Sequence, residues 1–172
     1  RYGVIPVIQP LKDKGFKKIL CPFDTKDSMY VRALEREGFD VTYRHLANGE
    51  DFFDLTPEQV AEYDCIVSNP PFSCKDKMLK HMYSFNKPFM LLLPVASVGG
   101  GRRYKLYEKY GLEVLLLGKR IGFYTWGNME KWGESPHFEC AYFSSGVFDK
   151  TLNFGTVNPV QEHFMFPKWD VV

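Results

Sequence analysis

The sequence predicts an α/β chain: a doubly wound, mostly parallel sheet with a closing antiparallel strand. Short apolar runs of strand length alternate with amphipathic segments of helical period. Capping residues and glycines punctuate the boundaries between them. Late in the chain, two apolar runs flank a long polar-aromatic loop, as in an antiparallel pair.

Residues Arg1 to Leu11 are apolar but contain Pro6 and Pro10, which allows at most a short or kinked helix. The opening Arg1-Tyr2-Gly3-Val4 carries no capping segment, so native residues are expected ahead of it. Lys17 to Pro22 reads as a strand centred on Ile19, Leu20 and Cys21. The turn Asp24-Thr25-Lys26-Asp27-Ser28 is rich in capping side chains, and Met29 to Glu37 follows as a helix stopped by Gly38. Phe39 to His45 is a second strand, completing a βαβ unit. Gly49 to Asp54 reads as a short loop or strand, and Thr56-Pro57-Glu58-Gln59 starts a short helix.

Asp64 to Ser68 is a strand that must stop at Pro70 and Pro71, which have no N–H to give a sheet. Ser73-Cys74-Lys75-Asp76 has a capping-box pattern, with Met78, Leu79, Met82 and Tyr83 on one helical face behind it. Lys87 to Pro94 is a buried strand, Val98 to Arg103 a glycine-rich basic loop, Tyr104 to Tyr110 a helix and Leu112 to Leu117 a strand. Ile121 to Tyr124 is expected to pair with Glu139 to Ser144, and the tail from Asp149 shows no period. The chain reads as one domain over residues 1–172, with no repeat, linker or separate target-recognition domain.

A chain of 172 residues can bury a proper core, and its 45% hydrophobic and 25% charged content is ordinary for a soluble globular protein. Net charge is +1, so any contact with nucleic acid must come from local patches rather than a global field. The cysteines Cys21, Cys65, Cys74 and Cys140 form no C-x-x-C pair, and the histidines are scattered. No metal site is expected. Reduced thiols, no leader peptide and no apolar run of membrane-spanning length point to a cytoplasmic setting and no membrane partner.

The most informative stretch is Ser68-Asn69-Pro70-Pro71-Phe72. A side-chain amide oxygen beside a backbone carbonyl makes two acceptors, which can hold an exocyclic NH2 through both hydrogens. That grip draws the nitrogen out of conjugation with its ring and frees its lone pair to attack. An aromatic three residues after the amide can stack on the ring that carries the amine, as needed for chemistry on a base taken out of its stack. The bland alternative is a buried strand followed by a proline turn.

This motif resembles that of amino-group methyltransferases that use S-adenosylmethionine (SAM), and the Phe form is typical of the DNA adenine-N6 branch. The resemblance implies a Rossmann-like methyltransferase fold. It implies that Asn69 and Pro70 hold the amine while Phe72 stacks, with Pro71 a further member of the catalytic motif. The turn Cys21-Pro22-Phe23-Asp24-Thr25-Lys26-Asp27 lacks the glycines most such enzymes carry there; its acidic form most resembles the EcoRI-type adenine methyltransferases. SAM has no phosphate to cradle, and Asp24 or Asp27 can meet its ammonium and sulfonium charges. The resemblance also places Asp51 on the cofactor's adenine amine, with Phe52 beside the ring. The acid that usually follows the second strand and holds the ribose is missing from Val41 to His45. An aromatic-Thr-Pro element ahead of the first helix, which contacts the methionine end in such enzymes, is also absent.

For the acceptor, Arg102 and Arg103 in the glycine-rich loop are phosphate-contact candidates. Phe123 and Tyr124, in the segment resembling the one that closes the target-base pocket, could face Phe72 across a flipped base. The expectation is therefore methyl transfer from SAM to N6 of adenine in DNA, with positioning supplying most of the catalysis and no general base of unusual pKa. So compact a chain suits a phage or mobile element. Two alternatives stand beside this: an inactive chain of the same fold that binds SAM, nucleic acid or a host protein, and an amino methyltransferase acting on RNA or protein.

Overall fold

The computed structural model describes residues 3–122 and 137–157, together with the backbone of 124–125 and 128–132. Five helices are described: α1 (Ile5–Asp13), α2 (Met29–Arg36), α3 (Pro57–Val60), α4 (Lys75–Ser84) and α5 (Gly101–Tyr110). The strands are β1 (Lys18–Cys21), β2 (Asp40–Tyr43), β3 (Cys65–Ser68), β4 (Phe89–Pro94), β5 (Glu113–Leu117), β6 (Tyr124–Thr125), β7 (Asn128–Trp132), β8 (Cys140–Ser145) and β9 (Leu152–Gly155).

Seven strands form one sheet in the order β2-β1-β3-β4-β8-β5-β9. The pairs among β2, β1, β3 and β4 are parallel, β8 runs antiparallel to β4 and β5, and β9 is parallel to β5. This is the doubly wound, Rossmann-like α/β architecture that the alternating elements predict. Strand parity explains the two faces. Ile19, Cys21, Val67, Met90 and Leu92 pack with α1 and α2 residues such as Leu11 and Leu34. Leu20, Ile66, Leu91 and Leu93 pack with α4 residues such as Met78 and Met82 on the other face. Each such fully buried side chain contributes on the order of 1.5–3 kcal/mol, so the strands are fixed and the loops at their ends inherit fixed positions.

Several elements differ from expectation. The helix α1 runs to Asp13 despite both prolines, because Pro6 lies in the first turn, where an N–H would be unused, and only Pro10 costs an internal bond. Ser73 makes no capping box: Phe72–Cys74 forms a 3-10 turn, and Cys74 precedes α4 without a side-chain cap. Arg102 and Arg103 lie in the first turn of α5 rather than in a loop. The run at Glu139 to Ser144 does not pair with Ile121 to Tyr124; β8 inserts between β4 and β5, while β6 pairs with β7 in a separate ribbon. Residues 140–144 are all buried, with Tyr142 facing one core and Phe143 the other, so this strand requires neighbours on both sides. The antiparallel strand is therefore internal, and the parallel strand β9 closes the sheet from within the tail. The capping box of Thr56 and Gln59 on α3 forms as predicted.

At the amino ends of the strands, Asp64 accepts hydrogen bonds from the backbone N–H groups of Lys17 (2.7 Å) and Lys18 (2.9 Å). These bonds, that of Lys18 foremost, hold its carboxyl below the usual carboxylate range. A depressed folded-state pKa gives stability that is present above the unfolded value and lost as pH falls through the folded one. Asp64→Ala should therefore lower the melting temperature at neutral pH, by the equivalent of about 0.5–1 kcal/mol at this exposed position. Thermal scans at decreasing pH should show the gap closing below the ordinary carboxylate range. Further along, Glu113 accepts from the N–H groups of Gly146 (2.8 Å), Val147 (3.0 Å) and Phe148 (2.9 Å), pinning the turn between β8 and β9 to β5.

Candidate active site

The chain runs outward from β1 to β2, then returns to the other side of β1 for β3. A crevice opens at such a switch point, outside the carboxyl ends of the strands. Its walls are the turn after β1 and the turn after β3. Beyond the strands, the Asp24 N–H donates to the Arg44 carbonyl (3.0 Å) and the Arg44 N–H to the Cys21 carbonyl (3.1 Å), so the two turns on this side are tied together.

Two cavities meet at Asn69. The larger, about 580 Å³, is lined by Pro22 and Phe23 after β1, by His45, Leu46, Glu50, Asp51, Phe52 and Phe53 after β2, and by Asn69, Pro70, Pro71, Phe72 and Cys74 after β3. The smaller, about 200 Å³, is lined by Gly3, Val4, Asp24, Ser28, Met29, Tyr30, Asn69, Leu92, Ile121 and Gly122. Asn69 is common to both. Its Oδ1 is buried and has no hydrogen-bond partner. Such an acceptor costs free energy as it stands and is satisfied only by a donor that enters from outside the protein.

The proline turn holds this residue firmly. Pro70 is buried, and the carbonyls of Pro71 and Phe72 are engaged by the Cys74 thiol (3.4 Å) and the Lys75 ammonium (3.3 Å). Phe72 packs against both core clusters and meets Phe138 edge-on at 5.9 Å between ring centres.

The smaller cavity carries a buried anion. Asp24 is 7% exposed, and its two oxygens accept from the hydroxyls of Ser28 and Ser68. Ser28 is also the cap of α2, accepting from the Tyr30 N–H at 3.1 Å. Burial pushes the Asp24 carboxyl above its usual range; the two serine hydrogen bonds and the charge interaction with His45 pull it partly back. Among the described residues no cationic side chain forms an ion pair with it. A carboxylate in a cavity wall that burial still dominates, despite the two hydroxyls and His45, is a site for a cation.

The larger cavity is mostly aromatic and apolar, with Phe52 only 3% exposed and its ring 4.6 Å from that of Phe23. Asp51 accepts from the Phe53 N–H (2.9 Å), which turns the chain so that Phe52 and Phe53 both reach the cavity.

The structure thus brings Pro22, Phe23, Asp51, Phe52, Asn69, Pro70, Pro71 and Phe72 to one cavity and Asp24 to the adjoining one. Cys21 is fully buried, its thiol pushed well up by burial, and lines neither. Asp27 pairs with Arg32 on the surface. Arg103 is spent on structure: its Nε donates to the carbonyls of Ser97 (2.9 Å) and Gly99 (2.7 Å), and its Nη1 pairs with Asp76. Gly100, at φ +108°, permits that fold-back, since a Cβ there would run into the Arg103 guanidinium. Arg102 is exposed on α5 and lines neither cavity. Phe123 and the Tyr124 side chain lie outside the described residues.

Five contributors escape a reading of the sequence. Glu50 supplies an acid on the β2 side, but past a 3-10 turn (Leu46–Asn48) rather than directly after the strand. Ser28 reads as a helix cap alone, and Gly3 and Val4 match no motif. Tyr30 reads as a core aromatic. An allowance for a longer connection after β2 would have found Glu50; nothing local would have found the others.

No protein-family profile and no curated protein matches the chain. Among solved structures, the chain is similar to one described as a predicted O-methyltransferase from Agrobacterium tumefaciens. The TM-score is 0.47 and the identity 11%, over 87% of this chain and 88% of that one.

Proposed function

We propose that the chain is a SAM-dependent methyltransferase whose acceptor is an exocyclic amine, the N6 of adenine in DNA. The observation that carries this reading is the unpartnered, buried Asn69 Oδ1 at the junction of two cavities. One neighbouring cavity is aromatic and the other holds a buried carboxylate, which suits a ligand with a flat ring at one end and positive charge at the other.

SAM, when bound, supplies a methyl group on a sulfonium. Phe23 and Phe52 would face its adenine, with Asp51 near the amino group and Glu50 placed to accept from the ribose hydroxyls. Asp24, set by Ser28 and Ser68, would balance the positive charge of the methionine end. Asn69 Oδ1 and the Pro70 carbonyl would take the two protons of the target amine and leave its lone pair aimed at the donor. Phe72 would stack on the target ring, entering from the Ile121–Gly122 side. Arg102 is the exposed phosphate contact in this reading, and Arg103 sets the start of α5 beneath it. The developing ammonium loses its proton late, to water or a carbonyl.

Labelled methyl transfer to adenine-containing DNA, compared with RNA and with protein, tests the reading. No transfer to any acceptor, with no SAM binding by calorimetry, would end it. A simpler probe uses Cys74, the half-buried thiol at the cavity; Cys21, Cys65 and Cys140 are buried. Burial pushes the Cys140 thiol up to about 12, which keeps it unreactive at neutral pH. N-ethylmaleimide should modify one thiol in the folded protein, Cys74, and saturating SAM should slow that reaction about fivefold or more, as read by mass spectrometry.

A further inference from the structure

We infer that Tyr142 is a positioning residue for the cation-binding half of the site: its hydroxyl holds Gly3 and Val4 in place as the wall of the smaller cavity. The inference rests on the methyltransferase reading above and adds what keeps the wall there.

The start of α1 has little to fix it locally. Val4, at its N-cap, offers no side-chain cap, and the first turn contains Pro6 in place of an N–H and no acidic residue. Yet Gly3 is buried, Val4 is 1% exposed, and both line the cavity opposite Asp24. Val4 packs into the core, and the polar hold on Gly3 comes from much later in the chain. The Tyr142 hydroxyl, on β8 and wholly buried, donates to the Gly3 carbonyl. The Tyr30 hydroxyl lies 2.6 Å from that of Tyr142. Since the Tyr142 proton is committed to Gly3, Tyr30 is the donor in this pair. The hydrogen bonds therefore run in one direction, from Tyr30 on α2 to Tyr142 to the Gly3 carbonyl. Burial of the two phenols pushes both pKa values up, so the donors stay protonated throughout the neutral range.

A pair of buried rings without hydroxyls would pack as well at this place, because apolar replacement of a hydrogen-bonded pair is close to neutral for stability. What the hydroxyls add is direction: they fix one carbonyl and so one cavity wall. The adenosine end of the site owes nothing to this chain of bonds, since its walls come from residues 22–74.

Tyr142→Phe keeps the ring and removes the tether. Calorimetry should then show SAM binding weakened about tenfold while adenosine binding stays within twofold of wild type, and amide exchange over residues 3–8 should quicken. A purely structural loss would weaken both ligands alike. Equal effects on the two ligands, or none on either, would overturn the inference and leave the methyltransferase reading standing; wild-type protein that binds neither would overturn both. Gly3→Leu guards against misfolding of the first variant. A Cβ on Gly3 would stand 3.6 Å from Ile121 and Leu92 and 3.9 Å from the Tyr30 hydroxyl, so a larger side chain disturbs the same compartment from the wall that the tether holds, with both tyrosines kept. It too should weaken SAM selectively, and equal loss of adenosine would again count against the inference.

Discussion

Asn69→Ala should reduce methyl transfer by about 10²–10³-fold, the range seen when one positioned hydrogen-bonding group is taken from a transition-state site. Binding of SAM should change little, because the aromatic wall and the Asp24 carboxylate remain. The fold should not suffer: Asn69 Oδ1 has no internal partner to lose, and removing an unsatisfied buried acceptor relieves a cost. A melting temperature equal to or above wild type, with SAM affinity retained and turnover gone, is therefore the expected signature. Equal turnover in wild type and variant would remove the proposed site, and a variant that melts markedly lower would show that the side chain is structural.

Asp24→Asn should separate stability from binding in a similar way, through charge. The carboxylate is buried with two hydroxyls as hydrogen-bond donors and His45 as its favourable electrostatic neighbour, and burial outweighs all three, an arrangement that costs the unliganded protein free energy. Its folded-state pKa lies above the ordinary value, chiefly through burial. The folded protein therefore holds this proton more tightly than the unfolded chain. The contribution of Asp24 to stability falls as pH rises from the unfolded value through the folded one. The neutral amide should accordingly leave the unliganded protein as stable or more so at pH 7, and remove that part of the pH dependence. Binding should move the opposite way. Loss of one member of a buried charge pair costs about 2 kcal/mol or more, so affinity for SAM should drop at least ~30-fold. In wild type, SAM affinity should weaken on acidification as Asp24 gains its proton; in the variant that acid limb should vanish. Calorimetry across pH, paired with thermal scans, reads both effects.

The site was legible where its chemistry sits in one short stretch. Ser68 to Phe72 carries its own strand ending, proline stop and acceptor amide, so the sequence alone points to it. Asp51 and Phe52 were legible for a similar reason. Asp24 was visible as an acid in a turn, but its burial was not, because Asp24 to Ser28 reads as a run of helix-capping residues. Partner choice between strands is non-local. Nothing near Glu139 to Ser144 says that it enters the sheet between β4 and β5, although its unbroken burial required an internal place. The strand β9 was silent for the opposite reason: Leu152 is 48% and Phe154 78% exposed, so its backbone pairs without an inward apolar period. Tyr142 looked like any strand aromatic, since the carbonyl it serves lies at the other end of the chain.

The division of labour between the two cavities has an evolutionary consequence. Every wall of the aromatic cavity is drawn from residues 22–74, whereas Ile121 and Gly122, from the connection after β5, reach only the smaller one. The grip on the donor's nucleoside is thus encoded in one part of the gene, and the mouth through which an acceptor enters draws on another. Grafting a different connection between β5 and β8 would re-address the chemistry to a new nucleophile while leaving the nucleoside grip intact. A scaffold partitioned in this way can diversify its targets without relearning its reagent.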